Sequence, residues 1–130
     1  MDRLIVALAT GLLGGLLSIT PARALEVFAC EPEWGALVRE LSGNRAKVYV
    51  ATTARQDPHR IEARPSLIAR ARRADLMVCT GADLEVGWLP LLQRQAGNPA
   101  IGAGRTGAFM AAHQVHLRDL AREVQLDAQD

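Results

Sequence analysis

Residues 47–81, KVYVATTARQDPHRIEARPSLIARARRADLMVCTG, decide the fold. They open on Lys47 to Ala51, a β-branched and aromatic run that reads as a strand, and close on Asp75 to Thr80, a second strand ending at Gly81. Between them Pro65 suits the first turn of a helix, where its missing N–H costs nothing. Leu67, Ile68, Ala71 and Ala74 then fall on one helical face, with Arg70, Arg72 and Arg73 mostly off it as a solvated arginine run rather than an anion site. Upstream, Leu25 to Ala29 is a short apolar strand interrupted by Glu26. Pro32 precedes a helix marked by Trp34, Leu37, Val38 and Leu41 and ended by Gly43. Downstream, Val86, Leu89, Leu91 and Leu92 form a further helical region that Pro90 starts or kinks. Strand and helix alternating at this spacing predict an α/β fold, a parallel sheet with crossover helices. In such sheets ligands bind beyond the carboxyl ends of the strands. Those ends carry Cys30 and Glu31, the turn with Asp57 and His59, and Thr80, Gly81, Ala82 and Asp83.

The chain has 130 residues, 49% of them hydrophobic and 22% charged, and a formal net charge of +1. That suits one globular domain and gives no global attraction for nucleic acid. Residues 1–24 differ: Arg3, an apolar stretch from Leu4 to Leu17, then Ala22-Arg23-Ala24 read as a signal peptide cleaved near Ala24. The apolar stretch falls short of the roughly 20 residues that span a bilayer, so no membrane span is expected after cleavage. Val27-Phe28-Ala29-Cys30 faintly resembles an acylation site and ranks below cleavage. The mature protein is expected in the oxidising periplasm. Gly97-Asn98-Pro99 is a turn, Gly102 to Gly107 a flexible connection without the lysine of a phosphate loop, and Leu117, Leu120, Ala121 and Val124 suit a final helix.

His59 is the histidine with a plausible chemical task. Pro58 fixes its own φ and pushes Asp57 out of the α region, so the imidazole is displayed from a stiff, extended turn. A polar turn without function is the plain alternative, because a zinc site needs about three or four ligands. His113 and His116 would share a face if helical and pinch an ion between them; otherwise they are surface histidines. Asp57 and Glu85 compete to orient His59, and Glu85 is otherwise a solvent-facing carboxylate at a helix start. Cys30 and Cys79 end neighbouring strands, leaving three readings open: a disulfide, two buried thiols, or thiolate ligands. A metal-dependent hydrolase with His59 as ligand and Asp57 or Glu85 as base is the rival function, though no His-Glu-x-x-His helix or Gly-x-Ser-x-Gly elbow supports it.

As an ordered set, strand Leu25–Ala29, strand Lys47–Ala51, Asp57-Pro58-His59, Arg64-Pro65-Ser66, and Ala74-Asp75-Leu76-Met77-Val78 followed by Gly81 resemble the metal-binding solute-binding proteins of ATP-driven (ABC) importers. The resemblance covers roughly residues 25–95. It implies capture of zinc, with manganese or iron as alternatives, for a membrane permease of an ABC transporter, with no covalent chemistry. His59 matches the first metal ligand of the N-terminal lobe. Members of that group have two α/β lobes, so the chain is expected to hold one: a lobe over residues 25–100, then a remnant over 101–130. The second N-lobe histidine commonly follows an Asn-Pro pair, whereas Asn98-Pro99 precedes Ala100. A truncated member, a fragment or half of a split gene, working or inactive, is expected.

Overall fold

The computed structural model describes residues 23–116. Most of the signal peptide expected over residues 1–24, and the helix expected around Leu117 to Val124, lie outside the described residues. Within them, four strands and three α-helices follow in order: β1 (Leu25–Ala29), α1 (Pro32–Ser42), β2 (Ala46–Val50), α2 (Pro65–Arg73), β3 (Leu76–Cys79), α3 (Leu89–Ala96) and β4 (Ala108–Met110). The four strands form one sheet in the order β2-β1-β3-β4, and every pairing is parallel. The α/β expectation is therefore met.

Each helix starts at or beside a proline, Pro32, Pro65 and Pro90, where the absent N–H has no partner to lose. α1 ends at Gly43 with φ 56°, a left-handed value glycine adopts without a Cβ clash. Strand side chains alternate between faces. Phe28 and Met77 point into the main core with Leu67 and Ala71 of α2 and Leu89, Leu92 and Ala96 of α3. Ala29 and Val50 lie against α1 through Gly35, at which any Cβ would collide with the Val50 side chain. α1 thus docks by close backbone approach, leaving Leu37 and Leu41 46% and 70% exposed. The apolar spacing that marks α1 as a helix does not mark its buried face.

The arginines of α2 lie outside the core as expected. Arg70 stacks 5.1 Å over Tyr49, and Arg72 donates to the carbonyls of Gln95 and Ala96. β4 is an addition to the sequence reading: Ala108, Phe109 and Met110 pair with Met77, Val78 and Cys79. The glycine-rich connection leads straight into this edge strand.

Candidate metal centre

The carboxyl ends of β1 and β3 are joined by a disulfide between Cys30 and Cys79, with Cα atoms 4.9 Å apart. No cysteine is left free, which removes the thiol and thiolate readings. Residues following these ends turn inward. Glu85 is 2% exposed, and its two oxygens accept the N–H groups of Thr80 at 2.7 Å and Gly81 at 2.9 Å. It is neither a solvent-facing carboxylate nor the partner of His59. Its task is to close the loop after β3, where Ala82 and Asp83 adopt positive φ of 49° and 67°.

Glu31, 3% exposed, faces the same cluster. Its Oε2 accepts from the Thr80 hydroxyl at 3.3 Å, while Trp34 donates to that hydroxyl at 2.8 Å. Oε1 is buried without a partner among the described residues. Burial, and then the nearby Glu85 carboxylate, raise its pKa to about 8. Sequence reasoning placed Glu31 at the rim but missed this condition; a carboxylate wedged between a cysteine and a helix-starting proline was the available signal.

His59 sits in a single 3₁₀ turn, Pro58–Arg60, rather than in extended backbone. Pro58 does hold Asp57 extended, at φ −74° and ψ 113°. Asp57 then closes on its neighbour: Oδ1 accepts the His59 backbone N–H at 3.0 Å and lies 2.9 Å from Nδ1. The hydrogen bonds from the His59 ring and backbone hold the Asp57 carboxyl below the usual carboxylate range. An ionised carboxylate only accepts, so Nδ1 donates to it, and in the neutral ring Nε2 then keeps the free lone pair. The His59 side chain is 60% exposed. Asp57, not Glu85, orients the imidazole.

Two contacts from the next loop reach this turn. The Trp88 indole N–H donates to the Pro58 carbonyl at 2.8 Å, and a Cβ at Gly87 would lie 2.8 Å from the His59 carbonyl oxygen.

The other histidines do not join His59 in a donor group. His113 lies in a 3₁₀ turn, Ala111–Gln114, and Val115 is extended at φ −133° and ψ 155°, so His113 and His116 share no helix face. His113 instead lines a cavity of about 160 Å³ with Gly81, Asp83, Glu85 and Met110. Among the described residues, one group of three donor residues comes together: Cys30, Cys79 and Glu85, with donor atoms within 4.8 Å of one another. Sulfurs bonded to each other offer no thiolate, so this group suits no zinc ion. A larger cavity of about 580 Å³ is lined by Arg23, Lys47, Arg70 and Arg73 against Glu26, a charge balance that repels cations.

The family model for ZnuA, described as the periplasmic component A of a zinc-uptake complex, matches residues 27–126. No curated protein matches the chain.

Proposed function

The chain belongs to the ZnuA family of periplasmic zinc-uptake components, and from that premise we propose that it captures zinc through His59 for delivery to an ABC permease. Members of this family are substrate-binding proteins for metal import, not enzymes, which sets the hydrolase reading aside. The observation that carries the proposal is the pairing of His59 Nδ1 with Asp57 at 2.9 Å. It favours the tautomer with the proton on Nδ1 and leaves Nε2 for a ligand, as carboxylate–imidazole–zinc arrangements do. Neutral imidazole suits zinc better than manganese, which prefers oxygen donors, and iron is the closer competitor. His59 fills one coordination position. A tetrahedral zinc ion has about four, so His59 alone does not complete the site.

Export is part of the proposal. β1 begins at Leu25, so cleavage after Ala24 leaves the strand whole. Arg23, which bridges to Asp75 at 2.6 Å, would leave with the signal peptide. Asp75 keeps the Glu26 N–H at 2.9 Å. A disulfide fits an oxidising compartment. Among the described residues, no helix is long and apolar enough to cross a membrane.

Calorimetric titration of residues 25–130 with zinc checks the reading. Wild type is expected to bind, His59→Ala to abolish the heat, and Asp57→Asn to weaken affinity about tenfold or more through the lost carboxylate partner. Binding unaffected by His59→Ala overturns the assignment, and no binding at micromolar zinc marks the chain as an inactive lobe.

A further inference from the structure

We propose that Trp88 and Gly87 are positioning residues that hold the His59 turn in place against the sheet, an inference that rests on His59 being a zinc ligand. The turn's own hydrogen bonds are local: Asp57 to His59 through side chain and ring, and Arg60 N–H to the Asp57 carbonyl at 3.0 Å. They shape the turn but do not place it. Residues 53–57 leading into it are all exposed, and its flank at Arg60 is exposed too. Past Arg60 the chain rejoins the core through Ile61 and Ala63, and the turn itself is met by the loop after β3. Two consecutive residues there meet the carbonyls of two consecutive residues in the turn: the Trp88 indole N–H reaches Pro58, and the Gly87 backbone lies against His59. The contacts fall on the carbonyl before the histidine and on its own, bracketing the Cα that carries the imidazole.

Trp88 is suited to the task because it is anchored at its other end. It is 1% exposed and belongs to the main core with Leu67, Leu89 and Leu92. Its backbone N–H donates to the Glu85 carbonyl at 3.2 Å, while the Glu85 carboxylate grips Thr80 and Gly81 at the end of β3. The imidazole is thereby referenced to the rigid sheet through one apolar body with a polar tip. Gly87 contributes by having no Cβ: a methyl there would sit 2.8 Å from the His59 oxygen and force the turn away. A turn already docked loses less freedom when an ion arrives, so the anchor acts on affinity.

Trp88→Phe keeps the apolar body and deletes the N–H. Zinc binding is expected to weaken by up to roughly fivefold, the equivalent of one hydrogen bond of about 1 kcal/mol, because zinc must then re-dock the released turn. Gly87→Ala is expected to weaken binding further. Ile101→Ala, in the same core but on the segment after α3, is the control: it lowers thermal stability while zinc affinity of the folded protein stays at the wild-type value. Amide hydrogen exchange supplies a metal-free readout. In both variants the His59 and Arg60 amides are expected to exchange faster, while those of Cys30 and Met77, bonded within the sheet, do not change. If zinc binds wild type and is lost in His59→Ala, yet Trp88→Phe and Gly87→Ala match wild type in affinity and exchange, the positioning claim fails and the ligand assignment stands. An affinity loss shared equally by Ile101→Ala also overturns it, since general loosening then suffices. If wild type binds no zinc, the ligand assignment fails, and the exchange rates at His59 and Arg60 alone decide whether the anchor exists.

Discussion

Replacing both cysteines, Cys30→Ala with Cys79→Ala, is expected to lower the stability of the fold by about 4 kcal/mol, the loop-closure entropy regained by the unfolded chain when a cross-link spanning some 49 residues is removed. For a domain near this size that corresponds to a fall in Tm of about 20 °C. Alanine is the replacement of choice because both positions are 0% exposed, and a serine hydroxyl there would need a partner. Urea melts of the oxidised wild type, the reduced wild type and the double variant check it: the last two should coincide to within the small cavity cost of two missing sulfur atoms. A difference below about 1 kcal/mol between oxidised and reduced protein would mean that the bridge does not constrain the unfolded chain as a loop of this length should. The bridge also fixes the strand ends that carry Glu31 and Thr80, so the rim is expected to loosen with it.

Glu31 provides the second large effect, through pH. Its carboxyl ionises near 4.5 in the unfolded chain and about 8 in the fold, because it is buried beside the Glu85 carboxylate. Between those values the folded state holds one proton more than the unfolded state. Stability contributed by the protonated group is therefore full below about pH 4.5 and is lost as pH rises toward about 8, with a slope of up to about 1.4 kcal/mol per pH unit. Glu31→Gln presents an uncharged group of the same shape and removes the slope. Wild type and variant should be similar near pH 4.5, and the variant should be more stable by a few kcal/mol at pH 8. Parallel slopes for the two proteins across this window would show that Glu31 is ionised in the fold.

Much of the architecture could be read from the residues. The apolar runs at Leu25, Lys47 and Asp75 and the prolines at 32, 65 and 90 mark three strands and three helices, because strand propensity and the missing proline N–H act locally. β4 escaped notice since three residues, Ala108 to Met110, carry no period and owe their conformation to pairing with β3. The buried face of α1 was hidden for a related reason: contact through Gly35 leaves no apolar signature, while exposed Leu37 and Leu41 mimic one. At the candidate site, proline chemistry led to the His59 turn and proximity in sequence led to Asp57. Glu85 stays a rival in the sequence because only the folded loop shows its oxygens committed to Thr80 and Gly81. The disulfide was legible as geometry between adjacent strand ends, but its choice over two thiols needed both side chains placed on one face. The anchoring of the turn by Trp88 crosses 30 residues of sequence and leaves no local trace.

Central to this account is a His59 imidazole whose Nδ1 proton is held by Asp57 and whose Nε2 receives the metal. Ring-nitrogen NMR during a zinc titration reads both atoms at once. The account predicts that free His59 shows a protonated Nδ1 and that zinc moves its Nε2 resonance while Nδ1 stays protonated, with His113 and His116 responding weakly if at all. A titration that leaves the His59 Nε2 resonance where it began, while zinc binds elsewhere in the protein, would contradict it.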